Sequence, residues 1–145
     1  MVHKLNPKEV VDNWKFTSQQ LKKLFNVTEA EEKYLFNRLL IGLSQFWMLY
    51  STDEEKKPLC MAITSFQRAV GREEPCLYII YLMSLSPIVI TKEQWTQSFA
   101  DIKKFALDNK CTKIIGSTDL PYVQELFRSL APIKEYTIME VNLNA

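Results

Sequence analysis

The chain has 145 residues, with 18 Lys and Arg against 17 Asp and Glu, one histidine, three cysteines and only three glycines. That length makes one ordinary domain, and the near-neutral balance gives no reason to expect a polyphosphate partner. An apolar fraction of 47% with few glycines and prolines excludes linker-like and disordered chains.

The opening MVHKLNPKEVVDNWKF lacks the apolar run of a secretory signal. Asn6-Pro7 predicts a helix start, with Val10, Val11 and Trp14 at helical spacing. Thr17 or Ser18 is expected to cap a second short helical segment carrying Leu21, Leu24 and Phe25. Thr28 with Glu31 three positions on is a capping-box signature. The helix behind it is expected to turn Tyr34, Leu35, Leu39 and Leu43 inward and to end at Gly42.

The period then changes. Phe46–Tyr50 is short and aromatic, which predicts a strand. The charged turn 51–58 leads to a second strand over Leu59–Val70, and Gly71–Pro75 makes the next turn. Cys76–Leu85 is apolar on both faces, as the centre of a covered sheet requires, and Pro87 stops it. Its apolar run Leu77–Met83 is far short of the roughly twenty residues of a membrane span.

Thr91 and Gln94 form a second capping box, opening a helix to Lys110 whose stripe is Trp95, Phe99, Ile102 and Ala106, widened by Phe105. Thr112–Gly116 predicts a short buried strand. Asp119 or Ser117 caps a last helix with inner face Val123, Leu126, Phe127 and Leu130. Alternation over Ile133–Leu143 predicts a final strand. The expected fold class is α/β with a mixed sheet, N-terminal helices preceding β-β-β-α-β-α-β, helices on both faces. Residues 1–45 are expected to pack as a helical segment on the main domain of residues 46–145.

Few residues here carry chemistry. Cys60, Cys76 and Cys111 each adjoin apolar runs, form no CxxC pair, and are expected to be buried thiols. With His3 the sole histidine, no Cys/His metal set is available. Neither glycine-rich phosphate cradle occurs. The carboxylates sit mostly at helix starts and in turns; Glu140, in the expected last strand, is the one candidate general base. No aromatic-basic pattern for nucleic acid is present.

The stretch from about Phe46 to Leu143 resembles the GNAT superfamily of N-acetyltransferases. Pro75-Cys76-Leu77-Tyr78-Ile79-Ile80-Tyr81-Leu82-Met83-Ser84-Leu85-Ser86-Pro87 looks like the family's central strand, and Trp95–Lys110 like the helix after it. Asn109–Gly116 is similar to its helix end and short buried strand, and Leu126–Pro132 to the end of its last helix. The resemblance implies acetyl-CoA as donor, held by a bulge in the central strand and by a Gln/Arg-x-x-Gly-x-Gly/Ala loop. At the loop position this chain has Ser86–Gln94, with no glycine and no arginine, and Pro87 removes one N–H donor. The family's acidic tyrosine aligns with Phe127, which has no proton to give.

These departures predict a non-catalytic interaction or assembly module, with a protein partner or second copy and with Trp14, Phe16, Phe25 and Trp47 as candidate interface residues. Neither nucleic acid nor membrane is expected as a partner. Compact chains of this kind resemble auxiliary, particle-associated products of bacteriophages, implying a cytoplasmic or virion location. The alternative is an acyl-CoA-dependent N-acyltransferase with a divergent loop. Glu140 would then be its base, Tyr136 or Tyr122 a substitute acid, and Met83, Ser84, Leu85, Thr91 and Lys92 the donor site. The bulge is expected within Met83–Ser86.

Overall fold

The computed structural model describes residues 2–68, 74–118, 121–136 and 139–144. The elements run β1 (Val2–Lys4), α1 (Pro7–Phe25), α2 (Glu29–Ile41), β2 (Ser44–Tyr50), β3 (Pro58–Arg68), β4 (Pro75–Ser84), α3 (Lys92–Asp108), β5 (Lys113–Gly116) and α4 (Pro121–Leu130). The strands lie side by side in sequence order, antiparallel except for the parallel pair β4–β5. The turn at Gly71, the cap candidate Asp119, residue Ile138 and the side chain of Tyr122 lie outside what is described.

Alternation in β2 and β3 sends side chains to two cores. Phe46, Met48, Met61 and Ile63 meet Val10, Leu21, Leu35 and Leu39 of α1 and α2. Trp47 and Ala62 face the other way, against Ile102 and Ala106 of α3. The expected α/β class, with a mixed sheet and helices on both faces, is therefore the observed one.

Local chemistry explains most boundaries. Asn6 accepts from the Glu9 amide while Glu9 accepts from the Asn6 amide, and Pro7 opens the first turn. Thr28 accepts from the Glu31 amide, and Gly42 closes α2 in the left-handed region at φ 83°. Thr91 and Gln94 make the same reciprocal pair at α3.

Four expectations are corrected. Thr17 and Ser18 do not start a new helix; they lie buried inside α1, where Thr17 Oγ1 donates to the Asn13 carbonyl at 2.8 Å. Tyr34 and Leu43, expected inside, are 65% and 44% exposed: α2 buries only its Leu35/Leu39 edge, and Leu43 lies past the Gly42 cap. The chain opens with β1, a three-residue strand too short to show a period. Ile133–Leu143 forms no strand among the described residues, and Met139, Val141 and Leu143 stand in solvent.

Candidate functional site

The sheet forks between β4 and β5. Parallel pairing runs from Cys76↔Lys113 to Ile79↔Gly116 and stops there. On its other side β4 pairs Thr64 with Ile79 and Ile63 with Tyr81, so Ile80 is an extra residue, a β-bulge. The bulge switches the strand's parity. Leu77 and Ile79 face α3 before it; Tyr81 and Met83 face α1 and α2 after it, with Leu82 toward α3. From Ile80 to Ser84 the strand runs on beside β3 with no strand on its other edge among the described residues. Backbone N–H and C=O groups on that edge face the opening of the fork.

The bulge therefore lies earlier than expected. Met83 and Ser84 are in regular register with Met61 and Cys60, and the Leu85 amide extends the ladder to the Leu59 carbonyl at 2.9 Å. Met83 is buried in the core under α1 and α2, and Ser84 Oγ donates to the Ser86 carbonyl at 3.0 Å. Of the other residues expected to hold a donor, Thr91 is the α3 cap and Lys92 is the exposed first residue of that helix.

The loop between β4 and α3 satisfies much of its own hydrogen bonding. Ser86 Oγ accepts from the Ile88 amide at 3.2 Å. The Thr91 amide donates to Gln94 Oε1 at 2.9 Å, and the Gln94 amide to Thr91 Oγ1 at 3.1 Å. Pro87 has no N–H to offer. Ile88 and Val89 are 51% and 85% exposed, so the loop presents branched apolar side chains.

Tyr81, the first paired residue after the bulge, was not among the expected site residues. Its ring packs on Phe25 at 4.7 Å between centroids, which ties the end of α1 to the fork. Burial pushes its hydroxyl above the ordinary tyrosine range and the Glu31 carboxylate adds to the effect, so the phenol stays protonated at neutral pH. An aromatic in an apolar strand reads as core; only the bulge shows that it turns toward α1 and α2.

Tyr136 and Glu140 are exposed on the segment after α4, where Lys134 Nζ lies 5.1 Å from the Tyr136 ring. Neither is brought to the fork by any contact among the described residues. Phe127 is at the fork, 3.7 Å from where a Cβ on Gly116 would stand. All three cysteines are buried free thiols, as expected, and burial pushes Cys60 up to about 12. Among the described residues no group of His, Cys, Asp or Glu has the geometry to hold a metal ion. Of the candidate interface residues, Trp47 is buried and Trp14 packs on Phe36 at 4.8 Å, leaving Phe16 and Phe25 as the exposed ones. No described helix is long and apolar enough to cross a membrane.

This arrangement defines the fold of the GNAT-like acetyltransferases. A predicted acetyltransferase from Clostridium acetobutylicum, solved with acetyl-CoA, superposes with TM-score 0.72 at 14% identity, covering 99% of this chain and 96% of its own. An aminoglycoside acetyltransferase from an uncultured soil metagenomic sample, in complex with sisomicin, gives 0.71 at 12% identity, with 98% and 93% covered. Aminoglycoside N-acetyltransferase AAC(6')-Iy in complex with CoA gives 0.68 at 12%, with 98% of each chain covered. No family model and no curated protein matches the chain by sequence.

Proposed function

We propose that the chain is an N-acyltransferase that takes its acyl group from a pantetheine thioester bound in the fork between β4 and β5. The observation that carries this reading is the coincidence of two irregularities. β5 parts from β4 after Ile79, and the bulge at Ile80 re-aims the strand at that point. A bare, re-aimed edge offers alternating N–H and C=O groups to an extended ligand with amides of its own, and a pantetheine arm is such a ligand.

The chemistry needs little from the protein. A neutral amine attacks the thioester carbonyl, the N–C bond forms and the C–S bond breaks. The proton lost by nitrogen passes to solvent, and Tyr81 supplies one to the departing thiolate. Tyr81 is the first paired residue past the bulge, and a phenol is protonated at neutral pH. The Ser86–Gln94 loop fits a diphosphate poorly, since it lacks glycine and arginine and its capping amides are occupied. The grip on the donor then rests on the arm and the acyl group.

A second reading, a non-catalytic interaction or assembly module, is favoured by that same loop, with Ile88 and Val89 exposed. Titration calorimetry with acetyl-CoA and with acetyl-pantetheine separates the two. The thioester reading expects both to bind in the micromolar range with affinities within a few-fold of each other. No heat from either at millimolar ligand removes it and leaves the interaction module.

A further inference from the structure

On the side of the sheet covered by α3 and α4, beside the fork, lies a half-enclosed cavity of about 50 Å³. Leu49, Ala62, Ile79, Leu82, Phe99 and Phe127 form much of its wall. Two of these place it at the fork. Ile79 is the last β4 residue paired with β5, and Leu82 lies on the free run beyond the bulge. Phe127, near Ile79 and the end of β5, closes the third side.

Of the four side chains at the wall that carry a polar atom, Trp47, Cys60, Trp95 and Ser98, two are hydrogen-bonded elsewhere. Ser98 Oγ donates to the Gln94 carbonyl at 2.8 Å, and Trp47 Nε1 donates to Thr64 Oγ1 at 2.9 Å. The Cys60 thiol is neutral and its Sγ lies 3.9 Å from the Met61 carbonyl. Water needs two to four polar partners to reside in such a space, and an apolar cavity without them stays dry. A sugar, a nucleotide or a charged acyl group likewise finds at most the Trp95 indole N–H to bond.

We infer that the acyl group transferred is an unbranched aliphatic chain of about four carbons, longer than acetyl, whose tail fills this cavity. The inference rests on the reading of the fork as a thioester site. On the scale of an apolar cavity of about 150 Å³ that holds a benzene ring, about 50 Å³ takes about two carbons beyond the acetyl unit. Each methylene moved from water into an apolar site tightens binding by about fourfold.

The test is the affinity series acetyl-, butanoyl-, hexanoyl- and decanoyl-CoA on the full chain, by calorimetry, with transfer to a simple primary amine followed in parallel. Affinity is expected to rise about fifteenfold from acetyl to butanoyl and to level off from hexanoyl to decanoyl. Ser98→Leu, which adds bulk at the wall from α3, is expected to bring the hexanoyl-to-acetyl ratio back toward one. Should acetyl-CoA bind as tightly as hexanoyl-CoA, the inference is overturned while the thioester site stands. A steady rise through decanoyl overturns it as well, since that is partition onto surface rather than filling of a bounded space. If no member of the series binds, the thioester site itself is lost, and the inference with it.

Discussion

Thr64 is fully buried opposite Ile79, at the point where β4 bulges, and its hydroxyl joins two elements. It accepts from Trp47 Nε1 at 2.9 Å and donates to Gln45 Oε1 at 2.7 Å, while Gln45 Nε2 reaches the Gly42 carbonyl at 3.0 Å. Thr64→Val keeps the shape and removes both bonds, leaving an indole N–H and an amide oxygen unpaired in the core. Such orphaned groups cost about 1–3 kcal/mol each, so a loss of about 2–3 kcal/mol in urea unfolding is expected. Thr96→Val, whose exposed hydroxyl bonds only to the Lys92 carbonyl, is the matched control and is expected to change little. Tyr81 tests the chemistry at the same scale. On the proposed thioester reading, Tyr81→Phe removes the proton source while keeping most of the packing on Phe25. A fall in kcat of about a hundredfold with KM nearly unchanged is expected, and an unaltered kcat assigns the proton to another donor. The sequence already marked the three cysteines as buried thiols, because burial follows from apolar neighbours. It did not mark Tyr81, because the direction of a strand residue depends on a parity that the bulge resets.

Elements were legible wherever a local rule fixes them. Of the two capping boxes read from sequence, the one at Thr91 stands complete and the one at Thr28 keeps only the bond from the Glu31 amide to Thr28 Oγ1; the glycine end of α2 and the apolar β4 between two neighbours also stand. What local rules miss are features set by pairing. β1 is three residues long and exists because Val2–Lys4 lies along Leu49–Trp47. Strand alternation over Ile133–Leu143 is real in sequence, but the described part of that segment pairs with nothing. The bulge adds one unpaired residue, which no periodicity announces. Its consequence is measurable by amide hydrogen exchange. In an antiparallel pair every second amide points away from the partner strand. Those of β4 that point toward β5 are expected to be protected up to Ile79 and to exchange rapidly from Ile80 to Ser84. Saturating hexanoyl-CoA is expected to slow the latter set. Uniform protection along the whole strand in the free chain shows the fork closed and removes the binding edge.

At the scale of the molecule, α1 and α2 act as a clamp over one face of the sheet, and the fork depends on it through Phe25 and Tyr81. A single carboxylate closes the clamp. Glu32 on α2 accepts from Ser18 Oγ on α1 and pairs with Lys22 Nζ at 3.1 Å, its side chain only 15% exposed. The Ser18 hydrogen bond holds its pKa below the ordinary glutamate range, and Lys22 adds to the effect. A depressed pKa in the folded chain contributes stability that is fully present above the unfolded value, about 4.3, and is lost as pH falls through the folded one. Glu32→Gln is therefore expected to cost about 1 kcal/mol at pH 7 and to flatten the acid limb of the stability curve. Its unfolding free energy is expected to meet that of the unmodified chain once the pH lies below the folded value, where both side chains are neutral. Urea unfolding at intervals from pH 7 to pH 2.5 gives both curves. Parallel acid limbs place the acid sensitivity in other carboxylates, Glu9 and Asp53 being the others among the described residues whose pKa is lowered by hydrogen bonds. Converging limbs place it in the helix pair, and acid then opens the face that holds Tyr81 before the β2–β3 core gives way. Phe25–Tyr81 contact followed by near-ultraviolet circular dichroism reports that order directly, since the aromatic signal is then expected to fall at a higher pH than the far-ultraviolet sheet signal.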